Sequence, residues 1–219
     1  MDKKESYRHM LPHFQQPGQA YFVTWSLIDA VPPKALNDYA NQLKNYSSNL
    51  KISKENNADE KTIAALKMES AVARRKYIKA FDDLLHLQTK FIIDLSKEEN
   101  TKSVLSALDF WDGKQLENYA ICVMNNHLHW VFRLFDKNEF GQPVYLQDIL
   151  QSVKRFSANQ INKNEGRAGT VWQKESWDTT IRDDKHLYRA VEYTINNPVE
   201  AGLVSNWKKW KGTVLFENC

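Results

Sequence analysis

A chain of 219 residues, 42% hydrophobic and 26% charged, is long enough for one sizeable core and gives no reason to expect a second. It contains no apolar run of membrane-spanning length, its start MDKKESYRHM is too polar for a signal peptide, and a net charge of +3 permits a nucleic-acid partner without arguing for one. Its two cysteines, Cys122 and Cys219, exclude a disulfide framework and a cysteine-rich metal cage, so a cytoplasmic protein without membrane association is expected.

In chain order, YFVTWSL at 21–27 alternates two sets of large side chains after the turn-like QQPGQ and reads as the first strand. From Lys34 to about Asp94 the chain is polar and charged and has no glycine or proline, which predicts two long helices with Asn57 or Asp59 capping the second. In that second helix Leu66, Val72, Ile78, Phe81 and Leu85 form an imperfect apolar stripe beside a basic cluster of Arg74, Arg75, Lys76 and Lys79. A solvated helical hairpin is the simpler account of this segment, with a nucleic-acid contact as the other.

A shorter helix over 103–111 leads through Asp112 and Gly113 to NYAICVM and HLHWVFRLF. These flank Asn125 and Asn126, residue types that tolerate the positive φ of a tight turn, so a β-hairpin is predicted. In LQDILQSVKRFSANQIN, Leu146, Ile149, Leu150, Val153, Phe156 and Ile161 share one helical face, with Lys154 at its edge and Arg155 opposite. A loop over NEGRAGTVWQKESWD then precedes a last helix, DDKHLYRAVEYTINNP, and the aromatic, basic tail NWKKWKG. There is no internal repeat.

Two features carry chemistry. Strand geometry points His127 and His129 to one face, with Leu128 and Trp130 on the other, which makes half of a metal site. On the pair alone a polar strand face is the commoner outcome, so a third ligand is required. On the last helix Leu187, Val191, Thr194 and Pro198 form the core stripe, while Tyr193 lies off it and lines up with Asn197, Arg189 and His186. That second face gathers a phenol, an amide oxygen, a guanidinium and an imidazole, although an ordinary exposed flank would also carry polar groups.

The ordered blocks LPHFQQPGQAYFVTWSL, VMNNHLHWVF, ILQSVKRFSANQIN, GTVWQKESWD, IRDDKHL and YTINNPVEAGLV resemble the REP-associated tyrosine transposases. These belong to the single-tyrosine HUH nucleases, HUH meaning His, hydrophobic, His. The family usually has proline where Asn125 stands, and the charged segment 34–94 exceeds what compact members carry. The resemblance implies an α+β fold: an antiparallel sheet flanked by helices, a ferredoxin-like HUH core, as a single domain over 1–219 with a helical insertion at about 34–94.

The resemblance further implies His127 and His129 as metal ligands, Asn197 as the third ligand and Tyr193 as the nucleophile. Such a site, two imidazoles and an amide oxygen, suits Mg²⁺ or Mn²⁺. The reaction expected is cleavage and rejoining of DNA through a 5′-phosphotyrosine link, on single-stranded or hairpin DNA such as REP-like palindromes or element ends. Lys154, Arg155, His186, Arg189, Lys174 and Trp177 are the expected DNA- and phosphate-contacting residues. Stacking of unpaired bases contributes ~1–3 kcal/mol per base, which bears on Trp177, Trp207 and Trp210, whereas Trp172 is expected in packing. The protein would act as a monomer or homodimer. Two other readings are a silent binder of structured single-stranded nucleic acid and a metal hydrolase that uses water and does not need Tyr193.

Overall fold

The computed structural model describes residues 6–8, 12–14, 16–32, 34–87 and 91–217, so Leu11 and Gln15 of the first matching block, residues 88–90 of the insertion and Cys219 lie outside it. The chain divides into two compact units, Asp29–Lys90 and the remainder, Met1–Ile28 with Phe91–Cys219.

The larger unit is α+β. Its first strands, β1 (Ser6–Arg8) and β2 (Pro12–Phe14), pair with each other in a small antiparallel ribbon. A five-stranded antiparallel sheet then forms from β3 (Ala20–Ser26), β4 (Leu116–Val123), β5 (His127–Leu134), β6 (Trp177–Thr180) and β7 (Thr213–Leu215) in the order β6-β3-β5-β4-β7. With α3 (Glu98–Asp109) between β3 and β4, and α4 (Leu146–Asn164) between β5 and β6, the first four sheet strands trace the βαββαβ path of a ferredoxin-like fold. The final helix α5 (Asp184–Glu200) and β7 are additions to that path.

Alternation along the strands explains why helices cover both faces. Tyr21, Val23, Trp25, Leu128, Trp130 and Phe132 are all fully buried and point one way. Trp25 meets Trp130 and Trp172 edge to face, and the Trp172 indole donates to Ser157 Oγ of α4 at 3.0 Å, so Trp172 is a packing residue. On α4 Leu146, Ile149, Leu150, Val153 and Ile161 are buried as their spacing predicts, while Phe156 is 48% exposed. Phe156 sits one step past the edge of the buried stripe. The other face of the sheet takes α5, whose Ala190, Leu187 and Val191 pack with Tyr119, Ala120 and Val131.

Strand β6 begins in the last two residues of the segment expected to be a loop, and β7 follows directly on the tail NWKKWKG. Gly212, just before β7, lies so close to Val123 that a Cβ there would meet its carbonyl oxygen at 2.3 Å. The Trp210 indole donates to the same carbonyl at 2.8 Å, tying the tail to the end of β4.

The second unit is a helical hairpin of α1 (Asn37–Glu55) and α2 (Glu60–Leu87). Asp59 caps α2, accepting from Thr62 N–H at 2.9 Å and from its hydroxyl, and these bonds hold the carboxyl below its usual pKa. The buried residues of α2 are Ala73, Tyr77, Phe81 and Leu85, whereas Val72 of the expected stripe is 37% exposed and α1 has no fully buried residue.

Candidate metal and nucleophile site

Strand β5 carries both histidines on the face covered by α5. In register across from them stand Thr24 opposite His129 and Ser26 opposite His127 on β3, with Cys122 opposite His129 on β4. The turn joining β4 to β5 is pinned from two sides: Leu95 N–H donates to the Asn125 carbonyl and Leu27 N–H to the Asn126 carbonyl, each at 2.8 Å. Among the described non-glycine residues only Asn57 has a positive φ, so neither Asn125 nor Asn126 adopts the left-handed conformation expected of them. Asn126 serves instead through its side chain, whose oxygen lies 2.7 Å from His127 Nδ1.

Both imidazoles are buried to about 1% exposure, and their Nε2 atoms converge at 3.1 Å. Thr24 Oγ1 lies 2.8 Å from His129 Nδ1. Phe22, two residues before Thr24 and so on the same face, stacks on His129 at 5.7 Å between ring centres. Tyr193 comes from α5 and presents its ring edge-on to both, 5.2 Å from His129 and 5.8 Å from Phe22. Four residues on, Asn197 is fully buried rather than part of an exposed flank, since α5 is covered over a wider arc than its apolar stripe marks.

The donor set fits a hard divalent ion. Asn197 Oδ1 and Nδ2, and Ser26 Oγ on the histidine face, are buried with no hydrogen-bond partner among the described residues. Orphaned polar atoms are rare in folded proteins and call for a ligand or ion. No group of three His, Cys, Asp or Glu side chains stands together among the described residues, so a third protein ligand here has to be of another type. An amide oxygen from Asn197 is of that type.

The expected phosphate-contacting residues are not brought together. Lys154 is stacked over Trp25, which faces away from the histidines, and its ammonium lies 3.2–3.4 Å from the carbonyls of Gln173, Lys174 and Glu175. Burial pushes its pKa down to about 8, with the Glu175 charge opposing. Lys154 therefore holds the segment entering β6 and is not beside the imidazoles. Arg155 is on the outer side of α4, with Asp148, Gln151, Ser152, Phe156 and Asn159 around a shallow hollow. His186 belongs to the cap of α5, where its N–H donates to Asp183 Oδ1 at 2.7 Å and its Nδ1 accepts from Arg182 N–H at 3.4 Å. Arg189 is exposed one turn before Tyr193, and Lys174 is exposed ahead of β6. Trp177 is half-buried on β6 opposite Thr24, on the histidine face. Phe22, Thr24 and Ser26 are additions to the expected set, and their signal was the alternation of YFVTWSL carried one strand over from His129.

No family model matches the chain. Over 98 residues it is 34% identical to a curated Haemophilus influenzae protein named as a REP-associated tyrosine transposase, a stretch covering 43% of this chain and 56% of that protein, so the chain spans little more than half the length of this relative. The solved structure of a REP-associated tyrosine transposase bound to a REP hairpin aligns with 97% of this chain and 82% of its own, at a TM-score of 0.45 and 14% identity.

Proposed function

We propose that this chain, which resembles the REP-associated tyrosine transposases, cleaves and rejoins hairpin-containing single-stranded DNA through a covalent link between Tyr193 and a 5′-phosphate. The observation that supports this reading is the packing of the Tyr193 ring against His129, whose Nε2 converges with that of His127, together with the Asn197 amide, one helical turn after Tyr193, buried with no hydrogen-bond partner among the described residues. A core tyrosine would not need such neighbours.

The roles follow from chemistry. A phenol has a pKa of about 10 and attacks poorly at neutral pH without help, so it needs a phosphate held in line and made electrophilic. A bound Mg²⁺ or Mn²⁺, held by His127, His129 and Asn197, would supply that polarisation. Phe22 and His129 pack against the Tyr193 ring and would help to hold its direction of approach. Attack forms a bond from the phenol oxygen to phosphorus and breaks the bond from phosphorus to the 3′ oxygen. The phenol gives up one proton and the departing oxygen gains one. Rejoining reverses both bonds, so no nucleotide cofactor is consumed. Arg189, exposed one helical turn from Tyr193, would offset charge on the phosphate oxygens. Trp177, on the same face, would stack an unpaired base.

The test is incubation with 5′- and 3′-labelled hairpin DNA and Mn²⁺, resolved on denaturing gels. An adduct carrying the 3′ label is expected, absent with chelator and reduced at least about 100-fold in Tyr193→Phe while DNA binding persists. Cleavage that survives Tyr193→Phe without an adduct would assign the site to a water-using hydrolase. Binding without cleavage across a broad hairpin set would leave a silent binding module.

A further inference from the structure

Two buried polar side chains at the site, Thr24 and Asn126, have no part in the reaction above, yet each faces the ring nitrogen that an imidazole ligand would turn away from the ion. The Asn126 oxygen is 2.7 Å from His127 Nδ1. A carbonyl oxygen only accepts, so His127 carries its proton on Nδ1 and presents a lone pair at Nε2. That lone pair faces His129 Nε2 at 3.1 Å. Two lone pairs at this separation repel, so with no cation present His129 carries its proton on Nε2 and donates it to His127. His129 Nδ1 is then a lone pair, and the Thr24 hydroxyl 2.8 Å away donates to it.

If both Nε2 atoms held a cation, one ring only would have to change. His127 is already in the required tautomer. His129 has to move its proton to Nδ1, with no net proton gained or lost, and Thr24 Oγ1 has to become the acceptor. A hydroxyl can do both, whereas a carbonyl, an ammonium or an alkyl group cannot. Backing groups of this kind fix ligand orientation and basicity.

We propose that Thr24 and Asn126 are positioning residues for the cation site: Asn126 locks His127 in its ligand tautomer, and Thr24 follows His129 by exchanging donor for acceptor. This rests on the reading of His127 and His129 as cation ligands.

The experiment pairs calorimetric Mn²⁺ titration with long-range ¹H–¹⁵N correlation of the imidazoles in the full chain without metal and with diamagnetic Mg²⁺. Thr24→Val keeps the shape of a buried β-branched residue on a strand and removes the hydroxyl, and Thr24→Ser restores it. Without metal, His127 should be protonated at Nδ1 and His129 at Nε2, and with Mg²⁺ both should be protonated at Nδ1. Thr24→Val should weaken Mn²⁺ binding roughly 10-fold or more, with Thr24→Ser recovering most of it. Asn126→Leu should weaken binding by a similar factor and scramble the His127 tautomer. Wild-type affinity in Thr24→Val, or a metal-free His129 protonated at Nδ1, overturns the proposal while leaving the ligand assignment intact. Failure of the wild-type chain to bind Mn²⁺ any better than His127→Ala sinks both.

Discussion

A primary amide with neither oxygen nor nitrogen paired in a fully buried position carries an uncompensated desolvation of about 1–3 kcal/mol, and Asn197 is in that state among the described residues. Natural chains keep such a group where function requires it, because stability and activity then pull in opposite directions. Asn197→Leu, close in volume and free of polar atoms, should therefore raise the melting temperature of the metal-free protein by roughly 2–4 °C per kcal/mol recovered. The same variant should lose divalent-ion binding and cleavage. A lower melting temperature in calorimetry would mean that the amide is satisfied in the folded protein, and unchanged Mn²⁺ affinity would remove it from the ligand set. The imidazoles were legible from the sequence because a two-residue strand period fixes their face without reference to anything else. The burial of Asn197 was not, since a helical wheel records which residues are apolar and not how wide an arc the neighbouring layers cover.

Among the elements, α4 shows what else a basic residue next to an apolar stripe can do. Lys154 was expected at a phosphate; in the structure its ammonium lies over the Trp25 ring and donates to three backbone carbonyls. Its pKa in the folded protein, about 8, is below the ordinary 10.5. Below about pH 8 both folded and unfolded chains carry the charge and the cost of burying it stands in full. Between about 8 and 10.5 the unfolded chain binds more protons, so the Lys154 contribution to stability rises with pH. Urea midpoints of wild type against Lys154→Met should show a difference that is flat below pH 8 and shifts in favour of wild type from pH 8 to 10. A pH-independent difference would place the ammonium in water. The long helices and the β4–β5 hairpin were readable because periodicity over many residues accumulates. Strands β6 and β7 were not, because four and three residues at the ends of the pairing order owe their conformation to the partner strand rather than to their own pattern.

At the scale of the molecule, every residue assigned to the site belongs to the larger unit, and Asp29–Lys90 forms its own compact hairpin. Replacing residues 29–90 by a flexible Gly/Ser linker should thus leave a folded sheet whose histidines still bind Mn²⁺, read by near-ultraviolet circular dichroism and calorimetry. Loss of near-ultraviolet signal would show that the hairpin is part of the fold. DNA affinity measured on the same variant separates the roles left open for Arg74, Arg75, Lys76 and Lys79: a drop makes the hairpin a nucleic-acid contact, and an unchanged value makes it a solvated elaboration.

The pairing of Thr24 with His129 spans 105 residues of sequence, and the helical hairpin lies within that span. Such a contact is slow to form in a chain that must search for it, since closing a longer loop costs more entropy before any strand pairing rewards it. The helical hairpin is built from local contacts and can form first. Once formed, it takes its own residues out of the flexible length that β3 and β5 must close, and halving a flexible loop recovers about 0.6 kcal/mol of closure entropy. A segment of 62 residues, folded by its own local contacts, thereby adds little to the search that brings β3 and β5 together.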